Sequence, residues 1–290
     1  MSGQRQISIA IQGGGARVAY ALGALREIRA AEAVGVSSFS CSSSGAFAAL
    51  AYLTQDVDFL TEKLFEVLSS KRFLNPYRFT KVADFDYLIR DVLGPLLDLS
   101  LLNSDNVPDI WVSLVDAQDG ALTYRRMTED TALELLLATN AFPILYGRRI
   151  SIGTDRDQRY IDGGVGDPLP LLHALSRCSS DTSVVAIATK PLSLLAADFK
   201  VGLPTRLAIH LDRRISRDVR HRLLSPNPLV ALTLMYATIG TVGQTEIATC
   251  EPSDRGSSFS RTAVEPDHLL ALHNLGETDM RACIDTLLRH

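Results

Sequence analysis

The sequence has no excess of either charge, because 29 lysines and arginines stand against 33 aspartates and glutamates in 290 residues, a net charge of −4. Aromatic residues are also scarce, at 7%. Nucleic-acid-binding proteins normally combine a basic surface with aromatic stacking platforms, so a nucleic acid partner is not expected. The hydrophobic content of 46% is ordinary for a globular protein and excludes a disordered or coiled-coil chain.

The four cysteines form no C-x-x-C pair and lie in no cluster with histidines. The sequence therefore predicts neither a zinc site nor a disulfide framework, and we expect no metal and no cofactor. Long apolar runs are missing as well. Residues 7–11 are too few for the core of a signal peptide, and the apolar stretch 229–242 is shorter than the roughly 20 residues of a bilayer span, which favours a buried helix. A cytosolic location is the expectation.

The chain does contain the opening of an α/β fold. Residues 7–11 and 34–41 are buried-strand patterns, and each is followed by a turn and a helical pattern. This alternation predicts a three-layer αβα fold with a central, mostly parallel sheet, in a single domain of residues 1–290. Residues 57–106 alternate helical patterns with turns and predict a helical insertion. Further predicted elements are a hairpin at Asp119-Gly120, a helix at 128–139, a strand at 183–189 and a closing helix at 277–288.

A serine run lies at the turn between the second strand and its helix, in Cys41-Ser42-Ser43-Ser44-Gly45. A nucleophilic serine needs a sharp strand-to-helix turn with small neighbours, and Cys41 and Gly45 are both small. The N-terminus of the following helix would help to stabilise an oxyanion. Ser43 is thus a candidate nucleophile, and the alternative is that the serines only cap the helix.

A glycine loop, Gly13–Arg17, follows the first strand and opens the first helix. Backbone N–H groups at such a point can bind a phosphate or the oxyanion of a tetrahedral intermediate, although a tight turn without a ligand explains the glycines equally well. No Gly-Lys-Ser/Thr follows, so the loop is not a P-loop. Val18 replaces the last glycine of a dinucleotide fingerprint.

Asp162 ends a short apolar strand and is followed by Gly163 and Gly164. A carboxylate that is close to a serine and partly desolvated can accept the serine proton, whereas an isolated Asp-Gly pair is usually just a turn. An anion-binding loop, an elbow serine and this aspartate, in that order, together form an acyl-transfer site.

In these motifs the sequence resembles the patatin-like phospholipase family of lipid acyl hydrolases. The matching residues are Gly13–Arg17, Ser43 with Gly45, and Asp162-Gly163-Gly164, with further similarity in residues 20–25, 138–143 and 167–170. The sequence departs from the usual family pattern at Val18 and Cys41, where glycine is common.

The resemblance implies a Ser–Asp dyad that cleaves carboxylic ester bonds of lipids without a histidine or a metal. Ser43 would attack the ester carbonyl, and Asp162 would accept and return its proton. The Gly14 and Gly15 N–H groups would hold the oxyanion, and Arg17 would steady the loop or the lipid head group. In full, the implied oxyanion hole is Gly13, Gly14, Gly15 and Arg17, and the implied supporting residues are Cys41, Gly45, Gly163 and Gly164.

Other functions stay open at this stage. The same dyad serves an acyltransferase, a thioesterase or a lactonase of a biosynthetic pathway, and a non-catalytic relative would only bind lipid. An α/β-hydrolase triad would use a late histidine, such as His210, His268 or His273. That fold is disfavoured because too few strands precede a serine at position 43.

The stretch Thr205–Leu224 is predicted to be one helix with an apolar line at i+4 spacing and six arginines against two aspartates. The ordinary explanation is the solvated face of a core-packed helix. A lipid hydrolase must also reach its substrate, so this helix is a candidate for peripheral contact with anionic lipid head groups.

Overall fold

The computed structural model describes residues 4–54, 56–78, 81–179, 182–195, 203–253 and 260–289. Its strands are β1 (Arg5–Ile11), β2 (Val34–Cys41), β3 (Asp109–Asp116), β4 (Leu122–Arg126), β5 (Ile150–Ile152), β6 (Asp155–Asp162), β7 (Ser183–Ile187), β8 (Thr241–Val242) and β9 (Thr245–Cys250). Its α-helices are α1 (Val18–Ala30), α2 (Gly45–Leu53), α3 (Val57–Leu68), α4 (Ala132–Thr139), α5 (Leu171–Arg177), α6 (Leu203–Leu211), α7 (Arg217–Leu224), α8 (Pro228–Ile239) and α9 (Pro266–Leu287).

The strands form a sheet in the order β5-β6-β3-β2-β1-β7-β9-β8, with β4 paired to β3. The five central strands, from β3 to β9 in this order, are parallel, and the pairs involving β4, β5, β6 and β8 are antiparallel. Parallel strands are buried on both faces, which explains why β1, β2 and β7 are read from the sequence as short apolar runs.

Helices cover both faces of this sheet. Ile7, Ile9 and Ile11 of β1 point into a core shared with α1, α2, α3 and α9. Ala10, with the opposite orientation, packs into a second core with α5. The predicted three-layer αβα class with a mostly parallel sheet is confirmed, and the Asp119-Gly120 turn joins β3 to β4 as an antiparallel hairpin.

Residues 57–106 carry α3 and then shorter helical segments: a π-helical turn at Tyr87–Leu93 and 3₁₀ turns at Gly94–Leu96 and Leu99–Asn103. Residues 79 and 80 of the predicted insertion lie outside the described residues. The buried side of α3, including Leu60, Leu64 and Leu68, joins the main core. The insertion therefore packs directly over the helices that follow the glycine loop and the serine turn.

The prediction of one helix over Thr205–Leu224 is wrong, because the structure has two helices, α6 and α7, with a break between them. The break is built from polar groups. The Asp212 side chain accepts a hydrogen bond from the Arg214 backbone N–H at 2.9 Å. Ser216 caps α7 by accepting from the Val219 N–H at 3.2 Å. Side chains that compete for backbone groups in this way end helices despite a favourable apolar pattern.

The apolar stretch 229–242 is not the buried helix that its composition predicts. It forms most of α8, in which Leu232, Met235 and Ile239 are exposed and only Val230 and Thr233 are buried. None of the helices in the described ranges is long and apolar enough to cross a membrane.

The closing helix begins at Pro266, eleven residues before the predicted start at Glu277. The sequence misleads here because Gly276 is typical of a helix boundary. In the structure Gly276 lies at the contact between α9 and α1, where a Cβ atom would come within 2.1 Å of the Tyr20 carbonyl oxygen. The glycine therefore permits close helix packing.

Candidate active site

The topology of the sheet brings the serine turn and the Asp162 strand to the same point. Cys41, the last residue of β2, is paired with Val112 of β3. Two residues further along β3, Leu114 is paired with Asp162, the last residue of the antiparallel strand β6. Ser43, two residues beyond Cys41, consequently lies beside Asp162, although 119 residues separate them in the chain.

Ser43 occupies a strained elbow between β2 and α2. It has a φ of 51°, the one positive φ of a non-glycine residue in the described ranges. Such a backbone persists only where its surroundings impose it, and it projects the side chain away from the sheet. Gly13 leaves room for the elbow, because a Cβ atom there would lie 2.6 Å from the Ser43 Cβ atom. Cys41 is buried, and burial raises the pKa of its thiol, so it is a packing residue here.

Thr139, at the end of α4, fixes the elbow from the other side. Its Oγ1 accepts a hydrogen bond from the Ser43 backbone N–H at 2.9 Å and donates to the Ser113 carbonyl at 3.0 Å. Gly45 starts α2, and its N–H donates to the Ser42 carbonyl at 2.9 Å. The N-terminus of α2, with its partial positive charge, is thus adjacent to the serine.

Asp162 is held so that one carboxylate oxygen faces Ser43. The Ser43 hydroxyl donates to Asp162 Oδ2 at 2.8 Å, and the Gly164 N–H donates to Oδ1 at 2.7 Å. Gly163 begins the turn after Asp162, and its carbonyl accepts the N–H groups of Gly166 and Asp167. One oxygen is therefore fixed by the backbone, while the other is free of backbone donors and can accept the serine proton.

Burial raises the pKa of the Asp162 carboxyl to about 6, while the hydrogen bonds from Gly164 and Ser43 and the positive charge of Arg261 act to lower it. Only the ionised carboxylate can accept a proton from Ser43. We expect kcat/KM for a soluble ester to fall about tenfold per pH unit below pH 6 and to reach a plateau above it. A pH–rate profile measures this, and a rate that stays constant down to about pH 5 would contradict a base with this pKa.

The backbone N–H groups of the three loop glycines differ in the acceptors that they contact. The Gly13 N–H, which belongs to the predicted oxyanion set, donates to the Pro168 carbonyl at 3.1 Å and so already has a backbone acceptor. The Gly14 N–H donates to Ser44 Oγ at 3.1 Å, and a substrate oxyanion could take the place of this hydroxyl as the acceptor. Among the described residues, no backbone hydrogen bond from the Gly15 N–H is found. Gly14 and Gly15 thus remain the two candidate donors.

Arg17 supports the loop from inside the protein. The residue is 2% exposed, and its Nη2 donates to the Gly13 carbonyl at 3.4 Å. Of the two roles considered from the sequence, steadying the loop fits this geometry, and contact with a lipid head group does not. Gln12 and Thr189 add support, because Gln12 Oε1 accepts from the Thr189 backbone N–H at 2.8 Å.

A cleft of about 250 Å³ opens over these groups. A smaller, apolar pocket of about 50 Å³ shares part of its lining with the cleft and is also lined by side chains of the helical insertion. No histidine is among the described residues that line the cleft, and the titratable side chain that Ser43 contacts there is Asp162. Residues that line both spaces include Gly15, Phe85, Asn140, Leu145, Arg261 and Thr262.

Two site residues had no role assigned from the sequence. Thr139 lies in the run 138–143 that resembles the family, but its contact with Ser43 depends on how α4 packs. Arg261 lies in residues 195–265, where the sequence has no diagnostic motif. The Ala16 N–H donates to the Arg261 carbonyl at 3.0 Å, which brings this distant segment onto the glycine loop.

An elbow serine, a carboxylate in direct hydrogen-bond contact with it and a loop of N–H donors on an α/β sheet have the form of a serine acyl-transfer site. A sequence profile of the patatin-like phospholipase family matches residues 9–175, more than half of the chain. The chain belongs to this family of lipid acyl hydrolases.

Comparisons with solved structures and with curated proteins add no functional information. Among solved structures, the crystal structure of VipD from Legionella pneumophila has 12% sequence identity to this chain and a TM-score of 0.48, and the alignment covers 97% of this chain and 67% of that one. This likeness is too distant to carry a functional argument. A comparison with curated proteins gave no match.

Proposed function

We propose that this protein hydrolyses carboxylic ester bonds of lipids with a Ser43–Asp162 dyad. The observation that carries the proposal is the 2.8 Å hydrogen bond from the Ser43 hydroxyl to Asp162 Oδ2, at a strained elbow that lines a cleft. Direct contact between nucleophile and base removes the need for an intervening histidine. Membership of a lipid acyl hydrolase family supports the choice of an acyl ester as substrate.

In the acylation step, Ser43 Oγ attacks the ester carbonyl carbon as its proton passes to Asp162 Oδ2. The carbonyl oxygen becomes an oxyanion, which the Gly14 and Gly15 N–H groups would hold as hydrogen-bond donors. Collapse of this intermediate breaks the bond to the alcohol oxygen, and Asp162 returns the proton to that oxygen. The products are an acyl-Ser43 ester and a free alcohol.

In the deacylation step, water takes the place of the alcohol. Asp162 accepts a proton from the water as the water oxygen attacks the acyl carbon, and it returns the proton to Ser43 Oγ when the acyl bond breaks. The raised pKa of Asp162 suits both directions, because a carboxyl that titrates at about 6 can accept a proton and also release it near neutral pH.

The apolar pocket beside the cleft is the proposed site of the acyl chain. Its walls come from α2, α3, α4 and the segment that follows α3, and they are formed by side chains such as Phe47, Leu64, Leu68 and Leu136. Burying acyl CH₂ groups against such walls contributes about 0.8 kcal/mol for each group. Gly15 lines both this pocket and the cleft, so an acyl chain in the pocket would place the ester carbonyl near the proposed donors.

The proposal is tested by labelling with a fluorophosphonate, which phosphonylates activated serines, and by turnover of a short-chain chromogenic ester and of phospholipid vesicles. We expect wild type to be labelled once and to turn over ester, and Ser43→Ala to lose labelling and about 10³-fold or more in kcat. Ser44→Ala, which changes the neighbouring hydroxyl, should still be labelled.

Other outcomes would replace the proposal. A labelled protein that releases acyl groups only when an alcohol or amine is added would be an acyltransferase. Preference for a thioester or lactone over an oxygen ester would change the substrate class. A folded wild type that is neither labelled nor active would be a non-catalytic relative.

We further propose that the arginines after α6 assist contact with an anionic membrane. Arg213 and Arg217 are exposed, and Leu207 and Leu211 on α6 are also exposed, at 58% and 70%. Arg220 is different, because it donates to the carbonyls of the helix break and is structural.

Reversing both charges, as Arg213→Glu with Arg217→Glu, should weaken binding to anionic vesicles about tenfold or more, since each basic residue near such a surface contributes about 1 kcal/mol. Co-sedimentation with vesicles measures the affinity. Turnover of a soluble ester is the control and should not change. Unaltered vesicle binding by the double variant would exclude Arg213 and Arg217 as a membrane contact.

A further inference from the structure

The serine that follows the nucleophile does not cap its helix. Ser44 is the N-cap residue of α2, a position where a serine side chain normally accepts a hydrogen bond from a backbone N–H in the first turn of the helix. The Ser44 side chain makes no such bond. Its Oγ accepts instead from the Gly14 N–H of the glycine loop, at 3.1 Å. Helix capping therefore does not account for the Ser44 hydroxyl.

The Ser44 hydroxyl keeps its own proton available for a hydrogen bond. A hydroxyl accepts through its lone pairs and donates through one O–H, so the bond from Gly14 uses only the accepting side. Among the described residues, this bond is the one found for the Ser44 side chain. Ser44 is 8% exposed, so bulk water reaches it little. Because a buried donor without an acceptor is unfavourable, an acceptor that the substrate brings would be bound here.

The hydroxyl also lies where a substrate oxyanion is expected. Ser44 is next to the nucleophile Ser43 in the chain and lines the apolar pocket together with Gly15. Its Oγ is 3.1 Å from the nitrogen of Gly14, one of the two proposed donors. A substrate oxygen about 2.9 Å from that nitrogen can also lie about 2.7 Å from Ser44 Oγ, because the three atoms then form a nearly equilateral triangle. Both groups can thus donate to one oxygen.

A donor at this place favours the tetrahedral intermediate over the bound ester. Hydrogen bonds to an ionised acceptor are shorter and about twice as strong as those to a neutral carbonyl. The Gly14 N–H, by donating to Ser44 Oγ, polarises the Ser44 O–H and makes it a better donor. The positive end of α2 acts in the same direction. Since this stabilisation grows as the oxyanion forms, it raises kcat and leaves KM nearly unchanged.

We propose that Ser44 is a catalytic residue whose hydroxyl is a side-chain donor of the oxyanion hole, beside the Gly14 and Gly15 N–H groups. In the free protein the hydroxyl accepts the Gly14 N–H. In acylation and deacylation it donates a hydrogen bond to the oxyanion and keeps its proton. This inference rests on the proposed ester hydrolysis at Ser43 and adds a third donor to it.

The test measures kcat and KM of Ser44→Ala on a soluble ester at about pH 8, where Asp162 is ionised. We expect kcat to fall about 10- to 100-fold, the range for loss of a hydrogen bond to a charged group, and KM to change by less than about twofold. A trifluoromethyl ketone, which adds to an activated serine to form a tetrahedral oxyanion, should bind more weakly by the same factor. Ser44→Cys, with a weak thiol donor, should give intermediate values.

Ser42→Ala is the matched control, because it removes the hydroxyl on the other side of Ser43. Ser42 is fully buried, and its Oγ has no hydrogen-bond partner among the described residues. Its kcat should stay within about twofold of wild type. A fluorophosphonate should still label Ser44→Ala, since Ser43 and Asp162 are intact, but at a lower rate than it labels wild type or the control.

Three results would overturn the inference. A rise of kcat in Ser44→Ala would mean that the hydroxyl only competes with substrate for the Gly14 N–H. A kcat equal to that of wild type would mean that the hydroxyl does not contact the oxyanion, and a loss confined to KM would indicate a contact with the acyl chain. A wild type that is neither labelled nor active would instead contradict the proposed function, so the two failures can be told apart.

Discussion

Replacing Asp162 with asparagine is expected to lower kcat on a soluble ester by about 10³-fold, within the range attributed to a general base. Asparagine has nearly the same shape as aspartate, and its side-chain oxygen can still accept the Gly164 N–H, which lies 2.7 Å from Asp162 Oδ1. Its amide nitrogen can face Ser43 but cannot accept the serine proton. The elbow should therefore remain intact while the chemistry stops.

The same variant is expected to be more stable than wild type at neutral pH. Burial raises the pKa of Asp162 from the ordinary 3.8 to about 6. The folded protein therefore binds this proton more tightly than the unfolded chain does. That stabilisation is complete below about pH 4 and is lost as the pH rises through 6, where a buried carboxylate must be tolerated. We expect Asp162→Asn to unfold with a free energy greater by roughly 1–3 kcal/mol at pH 7.5, with the difference shrinking toward pH 4.

Denaturant unfolding at the two pH values measures this effect, and Asp167→Asn is the matched control. Burial also raises the pKa of Asp167 to about 6, but its carboxylate accepts a hydrogen bond from the Tyr124 hydroxyl at 2.6 Å and does not contact Ser43. The control should share the pH-dependent change in stability and keep most of kcat. If Asp162→Asn is less stable than wild type at every pH, its lost activity reflects damage to the fold, and the assignment of Asp162 as base loses its support.

The proposed nucleophile and the glycine loop are predictable from the sequence because each depends on local backbone chemistry. A serine on a sharp turn needs small neighbours, and an anion-binding loop needs exposed N–H groups, so both leave glycine-rich patterns at the ends of apolar strands. The resemblance to a known family joins the two motifs to Asp162. The motifs do not predict that β6 pairs antiparallel with β3. This pairing brings Asp162 opposite Leu114 and beside the elbow.

The features missed from the sequence all depend on contacts between distant segments. Gly276 marks a helix boundary in most contexts, but here α1 and α9 pack so closely that the glycine lies inside α9. Thr139 is an ordinary residue of an apolar helix until its hydroxyl meets the Ser43 N–H. Arg261 follows a stretch without any motif, and its carbonyl accepts the Ala16 N–H of the glycine loop. Such contacts leave no periodic pattern in the amino-acid sequence.

The proposed role of the glycine loop in oxyanion binding is tested most directly by a substitution at Gly15. This residue has a φ of +59°, and a Cβ atom there would lie 2.6 Å from the Arg261 carbonyl oxygen, which is backbone and cannot rotate away. Gly15→Ala must therefore displace either the backbone at Arg261 or the glycine loop. Because the Gly15 N–H is one of the two proposed oxyanion donors, we expect kcat to fall by about 10²- to 10³-fold, the typical loss for one donor.

Gly153→Ala separates this effect from backbone strain. Gly153 has nearly the same φ, +64°, but apart from its two chain neighbours no described residue has an atom within 4 Å of its ideal Cβ position. The substitution should cost about 1–2 kcal/mol of stability, as for any alanine placed in the left-handed region, and leave kcat unchanged. Steady-state kinetics and thermal unfolding of both variants distinguish the cases. If Gly15→Ala loses only the stability that Gly153→Ala loses and retains its kcat, the oxyanion must be stabilised elsewhere, and the N-terminus of α2 beside Ser43 would be the remaining source of positive potential.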